Sequence, residues 1–230
     1  MADNQTISAT VTRGIQLQLI PPLKRPCSVP AIEPKGVVYT KRWVVELLLD
    51  LSGYCSDKNL VDTLAIEPAT GDGAFLGPMI ERLIESCGNL GRSLAECDHS
   101  LIAYELDEKS AARARAVAQN ILTNRGVKRP LAKRLSEAWV LNRDYLLEPD
   151  STQADFIIGN PPYIRLEEIP EETATVYRNA YPTMRGRADL YVAFFEAALR
   201  QLKRGGVCAF ICADRWMRNQ YGAELRRLIS

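Results

Sequence analysis

Short apolar runs alternate with stretches of helical spacing along most of this chain, and that alternation leaves few folds open. Val61 to Ile66, Leu101 to Tyr104, Trp139 to Leu141, Asp155 to Gly159 and Val207 to Cys212 read as strands. Between them apolar residues recur at helical intervals. These stretches are Trp43 to Leu51, Leu76-Met79-Ile80-Leu83-Ile84, an alanine-rich run from Ser110 to about Ile121, and Tyr191 to Leu202, which Gly205 and Gly206 are expected to close. Another helix is expected to start near Tyr221. Strands separated by helices predict an α/β, doubly wound, Rossmann-like parallel sheet. Ligands of such sheets bind beyond the carboxyl ends of the strands. The residues after each run are therefore the ones to inspect: Glu67 to Gly73, Glu105 to Asp107, Asp144, Asn160 to Tyr163, and Ala213 to Trp216. Acidic and amide groups recur there.

Residues 1–35 are polar at the start, carry Pro21, Pro22, Pro26, Pro30 and Pro34, and lack periodicity, so they read as an N-terminal arm to a domain spanning 36–230. No apolar run is long enough to span a bilayer. Six cysteines contain no C-x-x-C pair and His99 is the only histidine, which argues against a zinc site and for reduced thiols in a cytoplasmic protein. The net charge of +1 does not by itself announce a nucleic-acid binder.

After the first run comes Glu67-Pro68-Ala69-Thr70-Gly71-Asp72-Gly73-Ala74-Phe75. Its glycines let the backbone turn tightly and approach a ligand closely. A dinucleotide fingerprint needs a third glycine where Leu76 stands. Carboxylates at Glu67 and Asp72 would repel a pyrophosphate but suit a ligand with ammonium and sulfonium groups, such as S-adenosyl-L-methionine. Glu105, ending the second run, is placed to accept hydrogen bonds from ribose hydroxyls.

Asn160-Pro161-Pro162-Tyr163 directly follows the fourth run. As a bland feature it is a proline-rich turn with a surface tyrosine. Chemistry gives it a sharper meaning. An exocyclic adenine nitrogen is a poor nucleophile because its lone pair is delocalised into the ring. Acceptors at the Asn160 side-chain oxygen and the Pro161 carbonyl would favour the pyramidal geometry that attack requires. Two prolines stiffen the segment and preorganise those acceptors. Tyr163 would stack on a base taken out of the duplex.

In their order, these segments resemble the adenine-N6-specific DNA methyltransferases of the gamma arrangement, including type II G restriction–modification methylases. The resemblance covers roughly residues 36–230. Val38 to Val45 resembles the upstream motif X, which implies a contact of Thr40 with the methionine carboxylate, although Lys41 stands where the family has proline. Glu67 to Phe75 resembles motif I, implying cofactor contacts at Glu67, Ala69, Gly71 and Gly73. Glu105 matches the ribose-binding acid, and Asp144, in Asn142 to Leu146, the acid that binds the cofactor adenine. Asn160 to Tyr163 matches the catalytic tetrapeptide, with Asn160 also beside the cofactor. Ala188 to Phe195 and Gly205 to Trp216 resemble the next two motifs. The tetrapeptide also occurs in glutamine-N5 and some RNA guanine methyltransferases; the upstream motif and Asp189-Leu190-Tyr191-x-x-Phe194 favour the DNA class.

The family continues into a target-recognition region beyond the segment where this chain ends. Val207 to Cys212 is apolar on both faces, as an interior strand would be, and no later strand is present to pair with it. Three readings follow: a double-stranded DNA methyltransferase, working through a recognition region supplied elsewhere or by a C-terminal partner chain; a cofactor-binding chain without turnover of its own; or an enzyme acting on RNA or protein glutamine. The polar segment Ile164 to Arg187 reads either as an ordinary surface excursion or as a flap that sets Arg165, Arg178, Arg185 and Arg187 on DNA phosphates.

Overall fold

The computed structural model describes residues 40–147 and 152–230. The arm expected over residues 1–35, and Val38 and Tyr39 of the upstream motif, lie outside the described residues. Five parallel strands form one sheet: β1 (Ala65–Glu67), β2 (Leu101–Glu105), β3 (Val140–Asn142), β4 (Ala154–Gly159) and β5 (Leu202–Phe210), in the order β3-β2-β1-β4-β5. Helices α1 (Arg42–Ser52), α2 (Leu76–Leu90), α3 (Glu108–Asn124) and α4 (Arg129–Trp139) precede or link the first strands. Helices α5 (Glu171–Ala180), α6 (Tyr191–Gln201) and α7 (Ala223–Ile229) follow β4.

Successive strand residues point to opposite faces of a sheet, and here they feed two separate cores. Ala65, Ala103 and Ile158 pack with the buried faces of α1 to α4. Ile66, Tyr104 and Ile157 pack with residues of α5, α6 and α7. The doubly wound expectation is thus met, with both faces of the sheet covered. Burying a Leu or Ile side chain stabilises a fold by roughly 1.5–3 kcal/mol, so the two layers carry most of the driving force. Local signals agree at several helix ends. Gly53 closes α1 in the left-handed region with φ of 77°. Asp107 caps α3 by accepting from Ser110 N at 2.7 Å.

Several boundaries differ from the sequence reading. β1 starts at Ala65 rather than Val61. Asn59 bonds Asp62 through both its amide groups, at 2.7 and 3.2 Å, and the Thr63 hydroxyl donates to Leu60 O at 3.1 Å. These local bonds hold the preceding residues in turns. Trp139 closes α4 rather than opening β3. Its helix was hidden by polar composition, though Ala132, Leu135, Ser136 and Trp139 form a buried face, and the Trp139 indole donates to Cys97 O at 2.8 Å. Gly205 and Gly206 do not cap α6. The helix passes directly into β5 at Leu202, and the glycines lie within that strand, where pairing with β4 shifts register between Ala154 and Phe156.

Among the described residues β5 forms one edge of the sheet, and Val207 to Cys212 are only half-buried. That matches the expectation of an apolar strand with one side unpaired, a hazard for association. No helix among the described residues is long and apolar enough to cross a membrane.

Candidate active site at the carboxyl ends of the strands

The strand order reverses between β1 and β4, the point at which such sheets leave a crevice for ligands. Glu67 ends β1 on one side of it and Gly159 ends β4 on the other. The two sides touch. A Cβ on Gly159 would lie 3.3 Å from Pro68 Cδ and 3.7 Å from Glu67 Cγ.

The loop after β1 is held by its neighbours in the sheet. Thr70 N donates to Tyr104 O at 2.9 Å, and Gly71 N donates to Glu105 Oε2 at 2.7 Å. Gly73 has φ of 85°, a conformation that other residues adopt only with strain. Glu105 also accepts from Asp107 N at 2.9 Å, so both of its oxygens are fixed. Burial pushes its carboxyl above the ordinary range, against backbone bonds from Asp107, Gly71 and Leu106. Asp72, expected beside the ligand, is instead exposed and paired with Arg113 at 3.0 Å. Ala69 is half-buried at the start of the same loop.

Glu67 is the most perturbed acid in the site. Only 1% of it is exposed; it accepts a bond from the Thr70 hydroxyl. Burial, reinforced by the nearby Glu105 charge, pushes its carboxyl from 4.5 to about 8, although the Thr70 and Phe75 bonds oppose the shift. In the unfolded chain this group titrates near its ordinary value, so the folded chain holds one more proton between about pH 4.5 and 8. The group therefore costs folding nothing below that window. The cost grows as pH rises through it and is complete above about 8. Glu67→Gln should accordingly stabilise the ligand-free chain more at pH 8.5 than at pH 5.5, measured as the denaturant midpoint. Equal increments at both values would refute the buried, proton-retaining carboxyl.

Asp144, after β3, accepts from Leu146 N at 2.8 Å and from the Tyr177 hydroxyl at 2.6 Å. Tyr181 donates to Leu146 O at 2.6 Å. Both tyrosines belong to the segment Ile164 to Arg187, which is therefore no loose excursion. It contains α5, with Glu171 and Glu172 in the first turn and Arg178 in the last, complementing the helix dipole. Ala174, Tyr177, Ala180, Tyr181 and Met184 are buried. Sequence reasoning missed Tyr177. The one available signal was the helical spacing of Ala174, Tyr177 and Ala180 within a polar run.

The tetrapeptide lies where the fourth strand delivers it. Pro161 is buried, and Pro162 and Tyr163 are half-buried. Asn160 Nδ2 donates to Thr40 Oγ1 at 3.0 Å, while Asn160 Oδ1 is buried with no hydrogen-bond partner among the described residues. The Tyr163 hydroxyl donates to Ile211 O at 3.0 Å, beyond the end of β5. Arg165 pairs with Asp189, just before α6, in an antiparallel bridge. Asp189 accepts from the Tyr221 hydroxyl at 3.0 Å, and Tyr221 shares a bond of 2.9 Å with the Tyr191 hydroxyl. Beside Tyr163 opens a cleft of about 540 Å³, lined by Tyr163, Arg165, Glu168, Asp189, Ala213 and Arg215.

Residues 91–230 match the family model described as Eco57I restriction-modification methylase. The chain belongs to that family. The chain is 41% identical over 202 residues to type II methyltransferase M.XhoI of Xanthomonas vasicola, covering 86% of this chain and 37% of that protein. It is 38% identical over 202 residues to M.PaeR7I of Pseudomonas aeruginosa, covering 86% and 35%. The chain thus spans little more than a third of the length of these relatives. Among solved structures, a protein of Listeria monocytogenes described as a class I S-adenosylmethionine-dependent methyltransferase superposes with a TM-score of 0.54 at 16% identity, over 82% of this chain and 49% of that one. The M protein of the type I restriction enzyme EcoKI gives 0.51 at 16% identity, over 82% and 37%. The fold of this family member is that of the S-adenosylmethionine-dependent methyltransferases.

Proposed function

We propose that residues 36–230 bind S-adenosyl-L-methionine and transfer its methyl group to adenine N6 in double-stranded DNA, as the modification activity of a cytoplasmic restriction–modification system. The observation that carries this reading is the unpartnered, buried Asn160 Oδ1 beside the Glu67 loop. A buried acceptor without a donor is costly, and an amino group placed there would supply the missing bond. The surrounding groups also fit the cofactor. Glu67, Glu105 and Asp144 offer acceptors, and the ligand offers an ammonium group, ribose hydroxyls and an adenine amino group. Bound, it supplies a methyl on a cationic sulfur, an electrophile that needs only a nitrogen lone pair.

The residues divide the remaining work. Glu105 takes ribose hydroxyls while fixing Gly71. Asp144, anchored by Tyr177, takes the cofactor's adenine amino group. Asn160 Oδ1 and the Pro161 carbonyl accept from the target amino group and hold its lone pair toward the methyl. Tyr163, tethered through its hydroxyl to Ile211, presents its ring to the extruded base. The cleft beside it takes the flipped nucleotide.

The phosphate contacts of the Ile164 to Arg187 segment narrow to fewer residues. Arg187 is paired with Glu167 at 3.0 Å and Arg185 with Glu224 at 3.8 Å, whereas Arg165 and Arg215 line the cleft. Replacing Arg165 and Arg215 with glutamine should therefore reduce the slope of log binding constant against log salt by about 0.9 for each phosphate no longer neutralised. Replacing Arg185 and Arg187 should change it less. Equal effects of the two pairs, in filter binding over a salt series, would remove the cleft from the phosphate path.

The half-buried β5 edge favours one addition: transfer to DNA uses a further segment or partner chain that covers this edge and reads the sequence. Labelled methyl transfer to DNA, RNA and protein separates the substrates, with and without chains that copurify. Label in DNA supports the proposal. Label in RNA or protein, or none with cofactor bound, refutes it.

A further inference from the structure

We propose that Thr40 is a positioning residue whose hydroxyl sets which end of the Asn160 amide faces the transfer site. The inference rests on the reading of Asn160 as the acceptor for the target nitrogen. An amide offers an oxygen acceptor at one end and an NH₂ donor at the other, with nearly equal volumes. Shape alone cannot choose between them. Reversed, the amide would satisfy its oxygen with the Thr40 proton and turn two N–H donors toward a target that is itself an N–H donor. Transfer would then lose its acceptor.

In the fold the amide is not reversed. Nδ2 donates to Thr40 Oγ1 at 3.0 Å, and the buried oxygen is left over. Thr40 lies just before Lys41, the N-cap of α1, and α1 packs against β4 and β5, so the contact joins residues 120 apart in sequence beside a packed helix. A hydroxyl has one proton and two lone pairs. While a lone pair accepts from Asn160, the proton stays available for another acceptor. The motif resemblance implies a contact of Thr40 with the cofactor's carboxylate. A carboxylate can only accept, so such a contact would commit the Thr40 proton away from Asn160 and leave only lone pairs for the amide.

Thr40→Val removes the hydroxyl at nearly constant volume, and Thr40→Ser retains it. With the full chain and its copurifying partners, kcat at saturating S-adenosylmethionine should fall about tenfold in Thr40→Val, the worth of one hydrogen bond, and hold in Thr40→Ser. A readout apart from turnover is the side-chain amide resonance of Asn160, identified by its disappearance in Asn160→Ala. With S-adenosylhomocysteine bound, one of its protons should exchange slowly in the wild type and in Thr40→Ser, and rapidly in Thr40→Val. Thr40→Ala replaces the valine variant if that fails to fold. Unchanged kcat and exchange in the hydroxyl-free variants, or a loss confined to cofactor affinity, overturns the role of Thr40. Normal transfer by Asn160→Ala overturns instead the reading of Asn160 on which it depends.

Discussion

Asn160→Ala should abolish methyl transfer, by roughly 10²–10³-fold or more, the range seen when one preorganised polar group is removed from a reacting centre. The reason lies in what the nitrogen lacks. Its lone pair is conjugated with the purine ring, so attack needs an environment that favours the pyramidal form. Asn160 Oδ1 is buried and unpartnered at the carboxyl end of β4, and stiff prolines follow it. The acceptor is therefore set before the substrate arrives. Removing it also removes the Nδ2 bond to Thr40, but none of the contacts that hold the Glu67 and Glu105 loops. Cofactor affinity, measured by calorimetry, should thus stay within about threefold, less than the worth of one hydrogen bond. Full turnover in the variant would rule out the acceptor role. A large loss of affinity would move Asn160 from target to cofactor.

Glu105→Ala should weaken S-adenosylmethionine binding by roughly 1.5–3 kcal/mol, or about 10- to 150-fold, the range for hydrogen bonds to a charged group. Two effects would enter this number. The carboxylate offers lone pairs to ribose hydroxyls, and it holds Gly71 N at 2.7 Å and Asp107 N at 2.9 Å. A cofactor analogue without ribose hydroxyls separates them. If Glu105 reads the ribose, the variant and the wild type should bind that analogue with nearly equal affinity. If the same loss persists, Glu105 serves the loop alone. Unchanged affinity for the natural cofactor would exclude both.

How much of this was visible in the sequence follows from where each signal lies. The sheet was readable because its central strands β1, β2 and β4 are covered on both faces and appear as apolar runs, and because its ligand-facing residues follow them directly. Glu67, Glu105, Asp144 and Asn160 could be named that way. Two helices could not. α4 and α5 each bury a narrow face within a polar surface, Leu135 and Trp139 in one, Ala174 and Tyr177 in the other. The contacts across the chain were also out of reach. The tie between Thr40 and Asn160, the anchoring of Asp144 by Tyr177 and the diversion of Asp72 to Arg113 depend on how elements pack, not on local pattern.

The most direct measurement is nucleoside analysis of DNA incubated with methyl-labelled S-adenosylmethionine and the protein, including any chain that copurifies with it. Digestion and mass spectrometry should place the label on the N6 nitrogen of deoxyadenosine, at one short sequence context, with none in the Asn160→Ala variant. Label on cytosine, or N6-methyladenine formed equally well without Asn160, would contradict the assignment of adenine transfer to this site.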